Sequence, residues 1–381
     1  MKILSATGYP RLARGYFSLL LLIFSAVAQA EVWVPVNDQQ LIAKLPPRPP
    51  LTLPASVDQK LALADSLIQQ SRRSGHPRPL ETALDILQQI RADDPQAHLL
   101  LAEALQLRHD FDAALEALQA AADAGISWPD IDLQRAAILR VQGKLDQALR
   151  ACDALEGATE PGVVRLCLAP LIGLTGQSEF ALAQLDGLLA SGTLAPWQRH
   201  WLLSERAELH ERMGDDDAAL RDWGRAYLLD AGDQFVGIAL VDLLLRLDRP
   251  DQALTVLDTL PGTDASLLRR ARLQKLRGEA WQATADQLRQ RLRTGREVHQ
   301  VFHWREQAQL MLLLDEHQAA LDAAEKNWEE QREPLDALLL LRAAAQAGQP
   351  ERARPVRSWI DQHRVEDQRW QRWLQPSAEA S

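Results

Sequence analysis

Apolar positions recur along this chain with the spacing of amphipathic helices. The pattern is clearest over Trp201–Gly232, WLLSERAELHERMGDDDAALRDWGRAYLLDAG, which predicts two helices separated by a turn at Gly214. Ala207, Ala219 and Ala226 stand where two helices must approach closely, and Trp223 fills the gap between them. The rest of the chain carries weaker copies of the same design.

Each copy shows a Gly or Asp that ends a first helix, followed by an alanine near the start of a second. The pairs are Gly75 with Ala83, Asp110 with Ala114, Gly143 with Ala148, Gly176 with Ala181, and Gly214 with Ala219. They continue as Asp248 with Ala253, Gly278 with Ala283, Asp315 with Ala320, and Gly348 with Ala353. The alanines lie 30 to 38 residues apart, with a mean of about 34. This period and these marks resemble the tetratricopeptide (TPR) family. The resemblance spans residues 55 to 363 and implies an all-α, right-handed α-solenoid of about nine TPR-like helix pairs. The following segment, Arg364 to Gln375, alternates charge with Trp370 and Trp373 and suits a C-terminal capping helix over the last apolar face.

The first residues do not fit the repeat. Lys2, Arg11 and Arg14 precede the apolar run Tyr16 to Ala28, and small residues at Ala28 and Ala30 fit a signal peptide over 1–30 cleaved after Ala30. The run is too short to span a bilayer. Residues 31–54 carry Pro46, Pro47, Pro49, Pro50 and Pro54 and read as an extended linker. The solenoid then occupies 55–375, and 376–381 is a frayed tail. Localisation is therefore periplasmic or secreted, with no integral membrane segment in the mature chain.

Charge narrows the partners. A net charge of −10, made more acidic by loss of the basic leader, disfavours nucleic acid. The two cysteines, Cys152 and Cys167, sit at equal distances from the turn Gly157–Gly162 on antiparallel helices. This puts them at similar height, so a disulfide is expected, against two reduced core thiols.

No nucleophile elbow, zinc-protease helix, phosphate loop or dinucleotide fingerprint occurs, so no catalytic residue and no cofactor are assigned and the chain is read as non-enzymatic. His299 and His303 share a helix face and offer two metal ligands, but without a third no metal is assigned. A basic island over 269–296, with Arg269, Arg270, Arg272, Lys275, Arg277, Arg289, Arg291, Arg293 and Arg296, is either a solvated face or a contact for an acidic partner or anionic head groups.

In TPR proteins the first helices line a concave groove, mainly through positions 2, 5, 9 and 12 of each repeat. The resemblance implies a groove that contains Trp201, Glu208, Glu211, Phe235, Asp242, Arg272, Lys275, Phe302, Arg305 and Arg342. Its middle is acidic and its C-terminal third basic, with aromatic residues between, which suits an extended peptide. The carboxylate-clamp mode needs asparagines that this lining lacks. The expected function is a protein–protein interaction scaffold or adaptor in the cell envelope for an unidentified protein or peptide. The alternative is an accessory to a cell-wall glycan or metal-handling system.

Overall fold

The computed structural model describes residues 53–91, 93–126, 128–299 and 303–374, without the side chains of Trp128, Val298 and His299. The signal peptide, nearly all of the proline-rich linker and the terminal tail lie outside the described residues.

Among the described residues, nine helix pairs follow one another. Unit 1 joins α1 (Val57–Ser74) to α2 (Pro77–Leu87), unit 2 α3 (Pro95–Leu107) to α4 (Phe111–Asp123), and unit 3 α5 (Trp128–Val141) to α6 (Leu145–Asp153). Unit 4 joins α7 (Pro161–Gly173) to α8 (Ser178–Ser191), unit 5 α9 (Pro196–Met213) to α10 (Asp216–Leu229), and unit 6 α11 (Gln234–Arg246) to α12 (Pro250–Leu257). Unit 7 joins α13 (Asp264–Leu276) to α14 (Gln282–Thr294), unit 8 α15 (Trp304–Leu313) to α16 (His317–Glu330), and unit 9 α17 (Pro334–Gln346) to α18 (Arg354–His363). After unit 9 comes a 3₁₀ turn at Gln368–Trp370 and the single-turn α19 (Gln371–Leu374), which buries Trp370 against the last units.

Local chemistry sets these boundaries. Proline opens α2, α3, α7, α9, α12 and α17, where its missing N–H costs nothing. Ser56, Asp94, Asp215, Asp233 and Thr263 cap α1, α3, α10, α11 and α13 through their side-chain oxygens. Every turn within a unit passes through one residue in the left-handed region: Gly at six of them and His109, Asp248 and Asp315 at the other three. His109 takes that place instead of Asp110, whose φ is −90° as it begins α4, so the expected turn residue moves back by one.

The turn alanines of units 1 to 6 and 8 are fully buried, and Ala353 nearly so. In unit 7 the buried residue is Ala285 and not Ala283, which is exposed. The physical reason is the longer turn: α14 starts at Gln282, four residues after Gly278, whereas α6 starts at Leu145, two after Gly143.

The solenoid also closes on itself. The turn of each early unit meets the opening of a unit six or seven further along. At Gly75 an added Cβ would lie 2.5 Å from Cγ2 of Thr263, the cap of α13. In unit 2, His109 Nδ1 is 3.1 Å from Nε2 of Gln331, in the loop that opens unit 9. In unit 3, the Val141 carbonyl accepts from the main-chain N–H of Arg332 at 2.7 Å, and Gly143 packs under Arg332 and Trp359. In unit 4, Gly176 faces the main chain of Arg364, where a tenth unit would begin. One apolar cluster accordingly joins Leu145, Cys152 and Leu171 to Leu310, Leu340 and Trp370.

Candidate functional site: the concave groove

First helices of successive units touch, α7 with α9, α11 with α13, α13 with α15 and α15 with α17, so the predicted groove positions of one unit stand beside those of the next. In unit 5, Trp201 is half-buried against the apolar cluster of the C-terminal units; its Nε1 donates to Glu205 Oε1 at 3.1 Å, and its ring stacks at 6.5 Å on the exposed Trp197. Glu208 lies 3.6 Å from Arg140 of α5, which also donates to Glu205 at 2.7 Å.

Glu211 is 7% exposed and accepts from Trp223 Nε1 at 2.7 Å and from Arg246 at 2.5 Å, with Arg369 of the C-terminal segment 3.5 Å away. Burial pushes its carboxyl above the usual range, while Arg369 and Arg246 oppose that shift. In unit 6, Phe235 is 56% exposed and meets Trp223 edge-on at 5.9 Å. Asp242 accepts from Arg269 at 2.5 Å and from Arg272 at 2.9 Å. Burial would raise this carboxyl, but the two guanidinium groups outweigh burial and hold it below the usual range.

Among the basic positions, Lys275 donates to the Leu313 carbonyl at 2.7 Å and lies 4.7 Å over the Trp281 ring. Arg305 bonds Asp336 through Nε at 2.7 Å and Nη2 at 2.8 Å, and Glu333 at 3.1 Å. Burial works against its charge, yet Asp336 and Glu333 hold the guanidinium above its ordinary value. Arg342 has no hydrogen-bond or ion-pair partner among the described residues. Burial lowers it below an ordinary arginine, and Arg272 and Arg372 push the same way. Phe302 lies outside the described residues.

The acidic and basic stretches of the predicted groove are thus mostly paired with groups of the chain itself. The pairing partners Arg140 and Arg369 were missed. Counting back from Ala148 as from the other turn alanines puts Arg140 at a lining position, so that signal was present. Arg369 carries no such signal, because it reaches Glu211 only where the C-terminal segment packs back onto α9.

Geometry bears on three other features. Cys152 and Cys167 form a disulfide, with Cα atoms 5.6 Å apart. His303 Nδ1 is 3.0 Å from Asp264, and no group of three His, Cys, Asp or Glu suited to a metal is found among the described residues. A cleft of about 530 Å³ lies between the Gly143 turn and α18, lined by Trp328, Arg332, Trp359 and His363.

The nine stacked helix pairs, their left-handed turns and buried turn alanines define an all-α solenoid of the TPR type. No family model matches the chain, and no curated protein matches it. Among solved structures it is similar to a Rap protein complexed with Competence and Sporulation Factor, at 12% identity and a TM-score of 0.47, over 81% of this chain and 87% of that one. It is similar also to a tetratricopeptide repeat protein from Parabacteroides merdae, at 14% identity and a TM-score of 0.37, over 74% and 99%. A third is the APC/C hetero-tetramer Cut9–Hcn1, at 15% identity and a TM-score of 0.40, over 76% of this chain; the chain spans about half, 49%, of the length of that match. Likeness at this level concerns the helical fold and says nothing of a ligand.

Proposed function

We propose that this protein is a non-enzymatic interaction scaffold or adaptor of the cell envelope, which holds an extended peptide or protein segment in its concave groove. The observation that carries this reading is the run of touching first helices α11, α13, α15 and α17. It presents Phe235, Arg272, Lys275 and Arg342 from neighbouring units on one side, with Phe235 more than half exposed. Extended inner surfaces of this kind are what solenoids offer to partners. A cell-envelope location draws support from the leader-like first 30 residues and from the disulfide, which forms and persists in oxidising compartments. No described helix is long and apolar enough to cross a membrane.

The test is crosslinking in intact cells from photoreactive residues at Trp201, Phe235 and Phe302, compared with an outer-face position such as Arg221. The expected result is one or a few protein adducts specific to the groove. Labelling no stronger than at Arg221 removes the reading.

A glycan accessory role has one observation in its favour. Trp197 and Trp201 stack nearly parallel, at 17°, with Trp197 55% exposed, and flat indole faces suit sugar rings. Capture of cell-wall glycan by the wild type and its loss in Trp197→Ala would favour that role over protein binding.

A further inference from the structure

Among the described residues, every buried or half-buried arginine has an acceptor, except one. Arg140, Arg206, Arg269, Arg305 and Arg369 face carboxylates, and the buried Arg212 donates to the Gly173 carbonyl at 3.0 Å. Arg342, half-buried on α17, has none. A guanidinium withdrawn from water without a counter-charge is destabilising, so a fold that otherwise pairs its arginines carries this one at a cost.

Its surroundings raise that cost. Arg342 occupies on α17 the same groove position as Arg272 on α13 and Gln309 on α15, and these three helices touch in sequence. Arg272 spends Nη1 on Asp242, a carboxylate that it shares with Arg269. Arg372 of α19, which packs on α17, stands 4.7 Å over the Trp373 ring and has no carboxylate partner among the described residues. Cationic charge is therefore in excess along this stretch of the inner face. The opposite holds in unit 5, where Glu208 and Glu211 are already matched by Arg140, Arg246 and Arg369.

We propose that the row Arg272, Gln309 and Arg342, with Arg372 beside it, anchors an acidic segment of a partner protein, a carboxylate of which completes Arg342. This rests on the groove reading and sharpens it: the partner need not carry charge of both signs, because the acidic half of the groove is consumed internally. A carboxylate on Arg342 makes two charge-assisted hydrogen bonds in a partly desolvated place, where such bonds are strong, and the aromatic rings nearby add contact area. Arg342 then stands as a residue that weakens the free protein and strengthens the complex.

The test uses the purified full chain and fluorescein-labelled ten-residue peptides, one rich in Asp and Glu and one with Asn and Gln in their places. The acidic peptide is expected to bind at least about tenfold more tightly than its amide counterpart, and Arg342→Glu and Arg342→Met to remove at least about tenfold of that affinity. Arg342→Lys is expected to keep part of it, since the charge remains but the fork is lost.

Thermal melting supplies a readout that a structural role would not share. Arg342→Met is expected to melt at or above the wild-type temperature, whereas Arg305→Met, which strands Asp336, melts lower. No preference for the acidic peptide overturns the proposal, as does a loss of melting temperature in Arg342→Met equal to that in Arg305→Met. Binding to phosphatidylglycerol vesicles without binding of the acidic peptide overturns it too. In cells, groove crosslinks that persist unchanged in Arg342→Glu leave the groove reading standing and remove the anion site. Absence of groove crosslinks in the wild type removes the groove reading itself.

Discussion

Gln331 Nε2 lies 3.1 Å from His109 Nδ1, although 222 residues separate the two in sequence. The pair marks the place where the turn of unit 2 meets the loop that opens unit 9. A solenoid ordinarily gains stability from neighbouring units alone. Here contacts six or seven units apart add a second direction of packing, and the array behaves less like a chain of independent modules and more like one closed body.

The histidine of that pair makes closure sensitive to acid. Burial, reinforced by the charges of His303 and Arg305, pushes His109 down to about 4. Above pH 6.5 both folded and unfolded chains hold this ring neutral. As pH falls from 6.5 toward 4 the unfolded chain takes up a proton that the folded one refuses, so stability falls across that window. The loss is at most about 3 kcal/mol. His303, raised by its bond to Asp264 against the effect of burial, works in the opposite sense, and its contribution fades as pH rises through its folded value. Urea unfolding at a series of pH values should show the acid slope in the wild type. In His109→Asn, which tolerates the left-handed backbone without titrating, the slope should be shallower.

Glycines at the closure should matter more than glycines at equivalent turns that face open space. Gly143 and Gly348 both have positive φ, 70° and 69°, but a Cβ on Gly143 would lie 2.7 Å from Arg332 Cβ, while Gly348 has nothing within 4 Å. Gly348→Ala is expected to cost about 1 kcal/mol from backbone strain alone. Gly143→Ala should cost at least about 2 kcal/mol, because Arg332 and the adjoining main chain must also move. Equal losses in denaturant titrations would show that closure contributes nothing.

Ion pairs should divide sharply by burial. Asp336 has no exposed side-chain surface and depends on Arg305, so Arg305→Met should destabilise by about 3–5 kcal/mol. The pair of Arg352 with Glu325 leaves roughly a third of each side chain in water, and Glu325→Ala should cost under about 1 kcal/mol. Chemical denaturation of the two variants side by side measures the contrast.

The Cys152–Cys167 bridge closes a short loop, with a sequence separation of 15, between units 3 and 4. Its reduction, or the double change to serine, should lower stability by about 3 kcal/mol in the chain-entropy description. Thiol titration of the native protein under denaturing, non-reducing conditions should find no free cysteine.

Much of this was legible beforehand, and the exceptions have identifiable causes. Eight of the nine turn residues and eight of the nine turn alanines were placed correctly from sequence. Asp110 displaced His109 because aspartate is the commoner turn residue, although here it begins the next helix and leaves the left-handed place to its neighbour. Ala283 displaced Ala285 because a fixed count cannot register a longer turn. Counting along the repeat puts Arg272 and Arg342 at predicted groove positions, and Arg140 of unit 3 with them. The internal partners of Glu211 and Arg305 were not, since charge signs alone do not say which opposite charge lies within reach.

By itself, then, the sequence determined the all-α repeat, its period, most of the turns and the height at which the two cysteines meet. All of these follow from interactions within one unit or between neighbours: capping, left-handed turns and close packing at alanine. The closure at an offset of six or seven units, the internal neutralisation of the acidic residues of the predicted groove and the isolation of Arg342 were decided only by the tertiary structure. The physical reason is that superhelical pitch accumulates from small rotations between many units, and those rotations are too slight to be marked by any one residue.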